Sequence, residues 1–292
     1  MKERFENWKP RPAAVALIET INGILDEYRL QGFRLTLRQL YYQLVARGIV
    51  ENNFRSYKNI GEIVSKGRDA GLIDWDMIED RGREVVIPPS WDSPAQIVRV
   101  AARQFRIDKW ADQDVHVEVM VEKQALEGVL IPVCQELQVS FTANKGYSSA
   151  SAMREAGKRV AAKIREAKDV YILYLGDHDP SGMDMTRDVL DRITKYSRRS
   201  VFVERLALNM DQIDALNPPE NPAKTTDSRA AAYIAEFGES SWELDAVNPT
   251  DLAEIVRDFV LGLRSEDKWD EQMAREDEMR IALIRFADTY KE

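Results

Sequence analysis

A single cysteine, Cys134, excludes an intrachain disulfide and a cysteine-rich zinc site, and it suits a reducing cytoplasm. Only two histidines are present, His116 and His178, so a multi-histidine metal site is not expected. No apolar run approaches the roughly 20 residues that span a bilayer, and no membrane association is expected. The opening MKERFENWKPRP is polar and lacks the apolar core of a signal peptide. Net positive charge is absent too: the chain carries −9, which by itself argues against nucleic acid.

The charge is unevenly spread. Between residues 29 and 68 stand Arg29, Arg34, Arg38, Arg47, Arg55, Lys58, Lys66 and Arg68, against Glu51 and Glu62 alone, a local excess of six positive charges. Clustering matters more for phosphate binding than the total. The plainer interpretation is a solvated helical face. At 292 residues, 44% hydrophobic and 31% charged, the chain is long enough for two ordinary soluble domains.

Apolar periodicity predicts a helix over 13–32 and a second over about 35–48. Thr36 and Gln39 lie at capping-box spacing, and Gly48 stands where a helix ends. A third helix runs from about Ser56 to Ala70, followed by a short extended stretch from Arg83 to Pro88. Three helices and a hairpin-like segment suggest a winged helix over 1–90, with Lys58, Lys66 and Arg68 on the groove-facing helix. A Pro/Ser/Asp-rich boundary and a connecting helix occupy 91–113. From 114 onward strands alternate with helices: 116–122, 139–143, 170–175 and 200–208 are extended, with helices between them. That alternation predicts an α/β domain with a mostly parallel sheet, in which ligand residues gather past the carboxyl ends of the strands. The stretch 210–249 is less regular, and two helices close the chain.

Glu122 ends one predicted strand, and Gly176-Asp177-His178-Asp179-Pro180-Ser181-Gly182 follows another, VYILYL. A parallel sheet brings Glu122, Asp177 and Asp179 to one edge. Hard carboxylate oxygens of this kind bind Mg²⁺, which polarises a phosphate. The alternative is an ordinary surface turn, since Asp, Pro, Ser and Gly are turn residues. His178 is expected to be a partly exposed loop residue. Lys123 and Lys145 are candidates for DNA contact. Glu243 and Asp245 lie on one side of an extended WELD segment, as outer carboxylates or as a local cap. The 221–229 loop is a candidate DNA or dimer contact.

Helical spacing separates two adjacent tyrosines. Leu37, Leu40, Tyr41, Leu44 and Val45 form a buried stripe, whereas Tyr42 shares a face with Arg38 four residues earlier. An arginine there favours a phenolate. From the helix alone both tyrosines read as packing residues.

Val121-Glu122-Lys123-Gln124-Ala125 and the Gly176–Gly182 motif resemble the Toprim domain of the topoisomerase VI A subunit and the related meiotic double-strand-break protein. Thr36-Leu37-Arg38-Gln39-Leu40-Tyr41-Tyr42 is similar to that family's upstream winged-helix motif, in the same order along the chain, and the resemblance covers about 13–259. The chain departs from the pattern at Gln39, often acidic in the family. It is shorter than a full A subunit and is most similar to compact A-like proteins of plasmids and phages. The resemblance implies a winged-helix domain followed by a Toprim, Rossmann-like domain over 114–292. It implies a type IIB topoisomerase-like activity on double-stranded DNA, with Tyr42 as nucleophile beside Arg38 and Mg²⁺ on Glu122, Asp177 and Asp179. The product is a 5′-phosphotyrosyl link. It further implies a homodimer in which the tyrosine of one subunit meets the metal of the other. No ATP-binding pattern is present, so ATP-driven strand passage would need a separate B-type ATPase subunit. Two other readings stay open: a hydrolytic Toprim nuclease with a structural Tyr42, and a non-catalytic DNA-binding protein of a mobile element.

Overall fold

The computed structural model describes residues 1–78, 88–144, 146 and 148–289. Three helices come first: α1 (Pro12–Leu30), α2 (Leu37–Ala46) and α3 (Phe54–Asp69). They enclose a core of Ile21, Ile24, Leu25, Tyr28, Leu40, Leu44 and Ile60. The spacing of these residues is that of one helical face, which explains why each helix buries one side only. The capping box of α2 forms as expected: Thr36 Oγ accepts from the Gln39 amide at 3.3 Å, and Gln39 Oε1 accepts from the Thr36 amide at 2.8 Å. Gly48 follows the helix with φ +68°, a left-handed conformation that L side chains resist. Asn53, rather than Ser56, starts α3 by accepting from the Ser56 amide at 2.8 Å. The extended stretch expected from Arg83 to Pro88 lies outside the described residues except for Pro88.

α4 (Pro94–Gln104) does more than connect. It packs along the C-terminal helix, where Arg99 pairs with Asp288 at 3.1 Å. The chain then enters a four-stranded, all-parallel sheet, Rossmann-like in its interleaved helices, in which the first strand lies between the second and third and the fourth is outermost beside the third. Its strands are β1 (Val115–Val121), β2 (Ser140–Ala143), β3 (Asp169–Leu175) and β4 (Phe202–Ala207). α5 (Glu127–Leu137), α6 (Ala150–Arg165) and α7 (Pro180–Ser197) connect them. Strand alternation divides the burial. Val117, Val119, Val121, Leu173 and Leu175 face one core with α5, whereas Met120, Ile172 and Tyr174 face another with α6 and α7. With both faces covered, the strands are near-continuous hydrophobic runs.

The stretch expected to be irregular contains α8 (Met210–Leu216), β5 (Glu220–Pro222), α9 (Ala230–Phe237) and β6 (Ser240–Trp242). β5 and β6 form a two-stranded antiparallel ribbon of their own. Elements this short leave little periodicity to detect. α10 (Pro249–Leu263) and α11 (Glu266–Asp288) complete the fold. Ala246, from the segment after β6, inserts into the N-terminal helical core, so the two halves share a packed junction at α2.

Candidate active site

The register of β1 on β3 sets Val121 opposite Leu175. Glu122 and Asp177 therefore emerge at the same carboxyl edge, and the Asp177 amide donates to Glu122 Oε2 at 2.9 Å. Two glycines allow this approach. A Cβ at Gly176 would crowd the Glu122 carboxylate and the Tyr174 ring, and one at Gly182 would collide with the Asp177 carbonyl. Beneath the loop lies Arg205 of β4. Its guanidinium donates to the carbonyls of Gly176 (3.1 Å), Asp177 (2.6 Å), Gly182 (3.0 Å) and Leu208 (3.3 Å), and to Thr186 Oγ1 (3.0 Å). It fixes the backbone that carries the acids.

The carboxylates have different partners. Asp179 is the N-cap of α7: its Oδ1 accepts from the Gly182 amide at 2.7 Å, and Lys224 approaches Oδ2 at 3.4 Å. Asp177 Oδ1 accepts from the Leu244 amide at 2.8 Å, and its Oδ2 lies 2.8 Å from Lys123 Nζ. Glu243 and Asp245 join the group because Trp242 of β6 exchanges two backbone hydrogen bonds with His178, both 2.9 Å. Lys123 Nζ then stands 3.0 Å from Glu243 Oε2 and 3.8 Å from Asp245 Oδ1.

Burial, followed by the charge of Asp177, pushes the Glu122 carboxyl up to about 7, and Asp179 adds to the repulsion. Burial also raises Asp177 and Asp245, against the pull of Lys123. Desolvation works against the Lys123 ammonium, but Asp177, Asp245 and Glu243 outweigh it and hold its pKa above the ordinary lysine range.

A hard divalent cation suits this donor set chemically: the acids repel one another, and Asp245 Oδ1 is buried without a hydrogen-bond partner. Among the described residues, however, no three His, Cys, Asp or Glu side chains are gathered closely enough to hold a metal as they stand. The physical reason is visible in the partners. Asp179 is turned to cap α7, and Lys123 occupies Asp177.

The tyrosine helix meets this cluster through Arg38. The guanidinium pairs with Glu243, and Arg38 Nε lies 3.3 Å from Asp245 Oδ2. The same Nη2 that pairs with Glu243 also reaches the Tyr42 hydroxyl at 3.5 Å, as the four-residue spacing implied. Tyr41 and Tyr42 are both 4% exposed, with ring centroids 5.3 Å apart. Tyr41 is fixed by its hydroxyl, which has Asn52 Oδ1 and the Asn53 carbonyl as acceptors at 3.1 Å. Arg38 pulls the Tyr42 pKa down, as its position implied, but it is outweighed. Burial first, then Glu243, raises the Tyr42 pKa, and Arg38 offsets only part because Glu243 and Asp245 already hold its charge.

Of the basic candidates, Lys58 and Lys66 are exposed on α3. Arg68 is turned inward: it bonds the Trp75 carbonyl at 2.7 Å, also reaches the Ile78 carbonyl, and lies over the Trp75 ring. Lys123 is committed to the acids, and Lys145 lies outside the described residues. His178 differs from expectation. It is 1% exposed, with Nδ1 2.7 Å from the Tyr233 hydroxyl and its ring edge-on to Tyr233, Phe237 and Trp242. Burial pushes its pKa down to about 4. Sequence reading left Glu243 and Asp245 as peripheral and missed Arg205, whose position on an ordinary strand gave no signal.

No protein-family model matches this chain, and no curated protein matches it significantly. No helix among the described residues is long and apolar enough to cross a membrane.

Proposed function

We propose that this chain is a DNA-cleaving transesterase of the topoisomerase VI A type, with a winged-helix tyrosine domain and a Toprim domain. The observation that carries the reading is the Arg38–Glu243 pair, which sets the Tyr42 helix against the Glu122–Asp177 edge. The Tyr42 oxygen forms a bond to a backbone phosphorus, and the bond from that phosphorus to the 3′-oxygen breaks. The phenolic proton passes to solvent, the 3′-oxygen takes a proton from solvent and leaves as a hydroxyl, and the 5′-phosphate stays on the tyrosine. Arg38 is placed to meet the phosphate once DNA draws it from Glu243. Glu122, Asp177 and Asp179 would hold Mg²⁺, which supplies charge stabilisation at the phosphate. For that, Lys123 must release Asp177 and Asp179 must turn from the α7 cap.

Incubation with supercoiled duplex DNA and Mg²⁺, followed by denaturant trapping, tests this. Wild type should yield a protein–DNA adduct mapping to residue 42. Tyr42→Phe should yield none while still binding DNA, and Tyr41→Phe should be milder. Adducts in Tyr42→Phe would refute the assignment. Mixing Tyr42→Phe with Asp177→Ala chains tells whether the tyrosine and the acids act across a homodimer, which restores cleavage, or within one chain, which does not. A second reading, a hydrolytic nuclease, draws support from the burial and raised pKa of Tyr42. It predicts Mg²⁺-dependent nicking without an adduct.

A further inference from the structure

Tyr42 lines a pocket of about 230 Å³ together with Arg38, Tyr41, Asn52, Tyr57 and Asn221. Arg38 and Tyr42 come from α2, Tyr57 from α3, and Asn52 from the turn between those helices. Asn221 comes from the middle of β5, on the other half of the chain. A short polar chain links these side chains. The Tyr41 hydroxyl has Asn52 Oδ1 at 3.1 Å, and Asn52 Nδ2 donates to Asn221 Oδ1 at 2.9 Å and to the Glu220 carbonyl at 2.9 Å. With Oδ1 of Asn221 accepting, its planar carboxamide can only present Nδ2 on the opposite side. That nitrogen is buried and forms no hydrogen bond of ordinary geometry, while the side chain lines the same pocket as Tyr42 and is near enough to its hydroxyl to lower the phenol's pKa. A buried amide donor without a well-formed bond is costly, and the Tyr42 oxygen is the acceptor beside it.

We propose that Asn221 is a catalytic hydrogen-bond donor to the phenolic oxygen of Tyr42, with Asn52 as the positioning residue that aims it. The proposal rests on Tyr42 being the nucleophile. A donor fixed before reaction strengthens as negative charge develops on the oxygen it faces. Asn221 therefore stabilises the phenolate when it attacks phosphorus and again when it leaves on religation. The charged groups facing this oxygen are Arg38 from α2 and Glu243 from the segment after β6, and they oppose each other. With Arg38 held by Glu243, Asn221 is the neutral donor that no carboxylate takes. Its mount is rigid: Asn221 pairs with Ser241 of β6, and β6 is bonded through Trp242 to His178 in the acidic loop. Backbone hydrogen bonds thus tie the donor to the loop that carries the acids.

The test uses the full chain with Asn221→Leu, Asn221→Asp and Asn52→Leu, and with tyrosine labelled at Cζ so that Tyr42 is followed by NMR. Folding is checked by the same spectra and duplex binding by anisotropy. Loss of one neutral hydrogen bond should raise the Tyr42 pKa by about half to one unit in Asn221→Leu. Adduct formation near neutral pH should slow by roughly three- to tenfold, with DNA affinity unchanged and the deficit shrinking as pH rises. Asn221→Asp, which keeps the shape but removes the donor and adds an anion, should be slower still. Asn52→Leu should shift the same phenol in the same direction by less. An unshifted phenol and a wild-type rate in Asn221→Leu overturn the proposal, as does a rate loss matched by a loss of DNA binding. If the wild type itself forms no adduct while the phenol still responds to Asn221, the donor contact stands and the nucleophile reading fails.

Discussion

Lys123 Nζ lies 2.8 Å from Asp177 Oδ2, so the ammonium neutralises the acidic edge that a divalent cation would otherwise claim. Lys123→Met should therefore have two opposite effects. The free protein should lose stability, by about 3 kcal/mol, because a partly buried ion pair is broken from one side. Its affinity for Mn²⁺, read by electron paramagnetic resonance or calorimetry, should rise several-fold because the internal competitor is gone. Unchanged or weaker Mn²⁺ binding would show that Lys123 and the metal do not share Asp177.

Glu122 makes stability depend on pH in a direction opposite to most carboxylates. Its folded pKa is about 7, above the ordinary 4.5, so the folded state binds the extra proton between those values. Stability on this account falls as pH rises from about 4.5 to 7 and stays low above it. Glu122→Gln removes the effect while keeping an acceptor for the Asp177 amide. At pH 8 with chelator present, the variant should be more stable than wild type by up to roughly 3 kcal/mol, the gap closing toward pH 4.5. The difference between the two proteins cancels His178, whose depressed pKa of about 4 makes stability fall as pH drops from 6.5. Urea titrations at several pH values measure the gap, and a constant difference would refute the assigned repulsion.

Arg205 should matter beyond its charge. Its guanidinium satisfies four carbonyls around the acidic loop, and lysine cannot reach them all from one nitrogen. Arg205→Lys should destabilise the chain by about 2 kcal/mol and weaken Mg²⁺-dependent cleavage, whereas substitution of exposed Arg154 should do neither. Thermal melts and cleavage rates together check this; a neutral Arg205→Lys would remove the clamp.

The basic third helix should bind duplex DNA through Lys58 and Lys66. Replacing both with alanine should lower the slope of log affinity against log salt by roughly 2, at about 0.9 per phosphate contact. Arg68→Ala should instead cost stability, because Arg68 holds the Trp75 and Ile78 carbonyls. Anisotropy titrations over a range of salt decide between these roles. Equal slopes for wild type and the double variant would exclude α3 as the docking helix.

Local chemistry determined much of this protein in the sequence alone. Periodicity marked α1, α2 and α3, the Thr36–Gln39 pair and Gly48 bounded α2, and apolar runs marked β1 and β3. Each depends on residues within a few positions of one another, so spacing is enough. Placement of Glu122 and Asp177 at one sheet edge also followed, because parallel strands share a carboxyl end. Tertiary structure alone decided who partners whom. Glu243 and Asp245 reach the cluster only because β6 bonds to His178. Arg38 divides its charge between Tyr42 and carboxylates more than 200 residues away. Asp179 is diverted to a helix cap, Arg68 turns inward, and Asn221 meets Tyr42 across the junction of the two halves. These contacts depend on the packing of distant segments, and burial then reverses the sign of the pKa shift that helix geometry suggested for Tyr42.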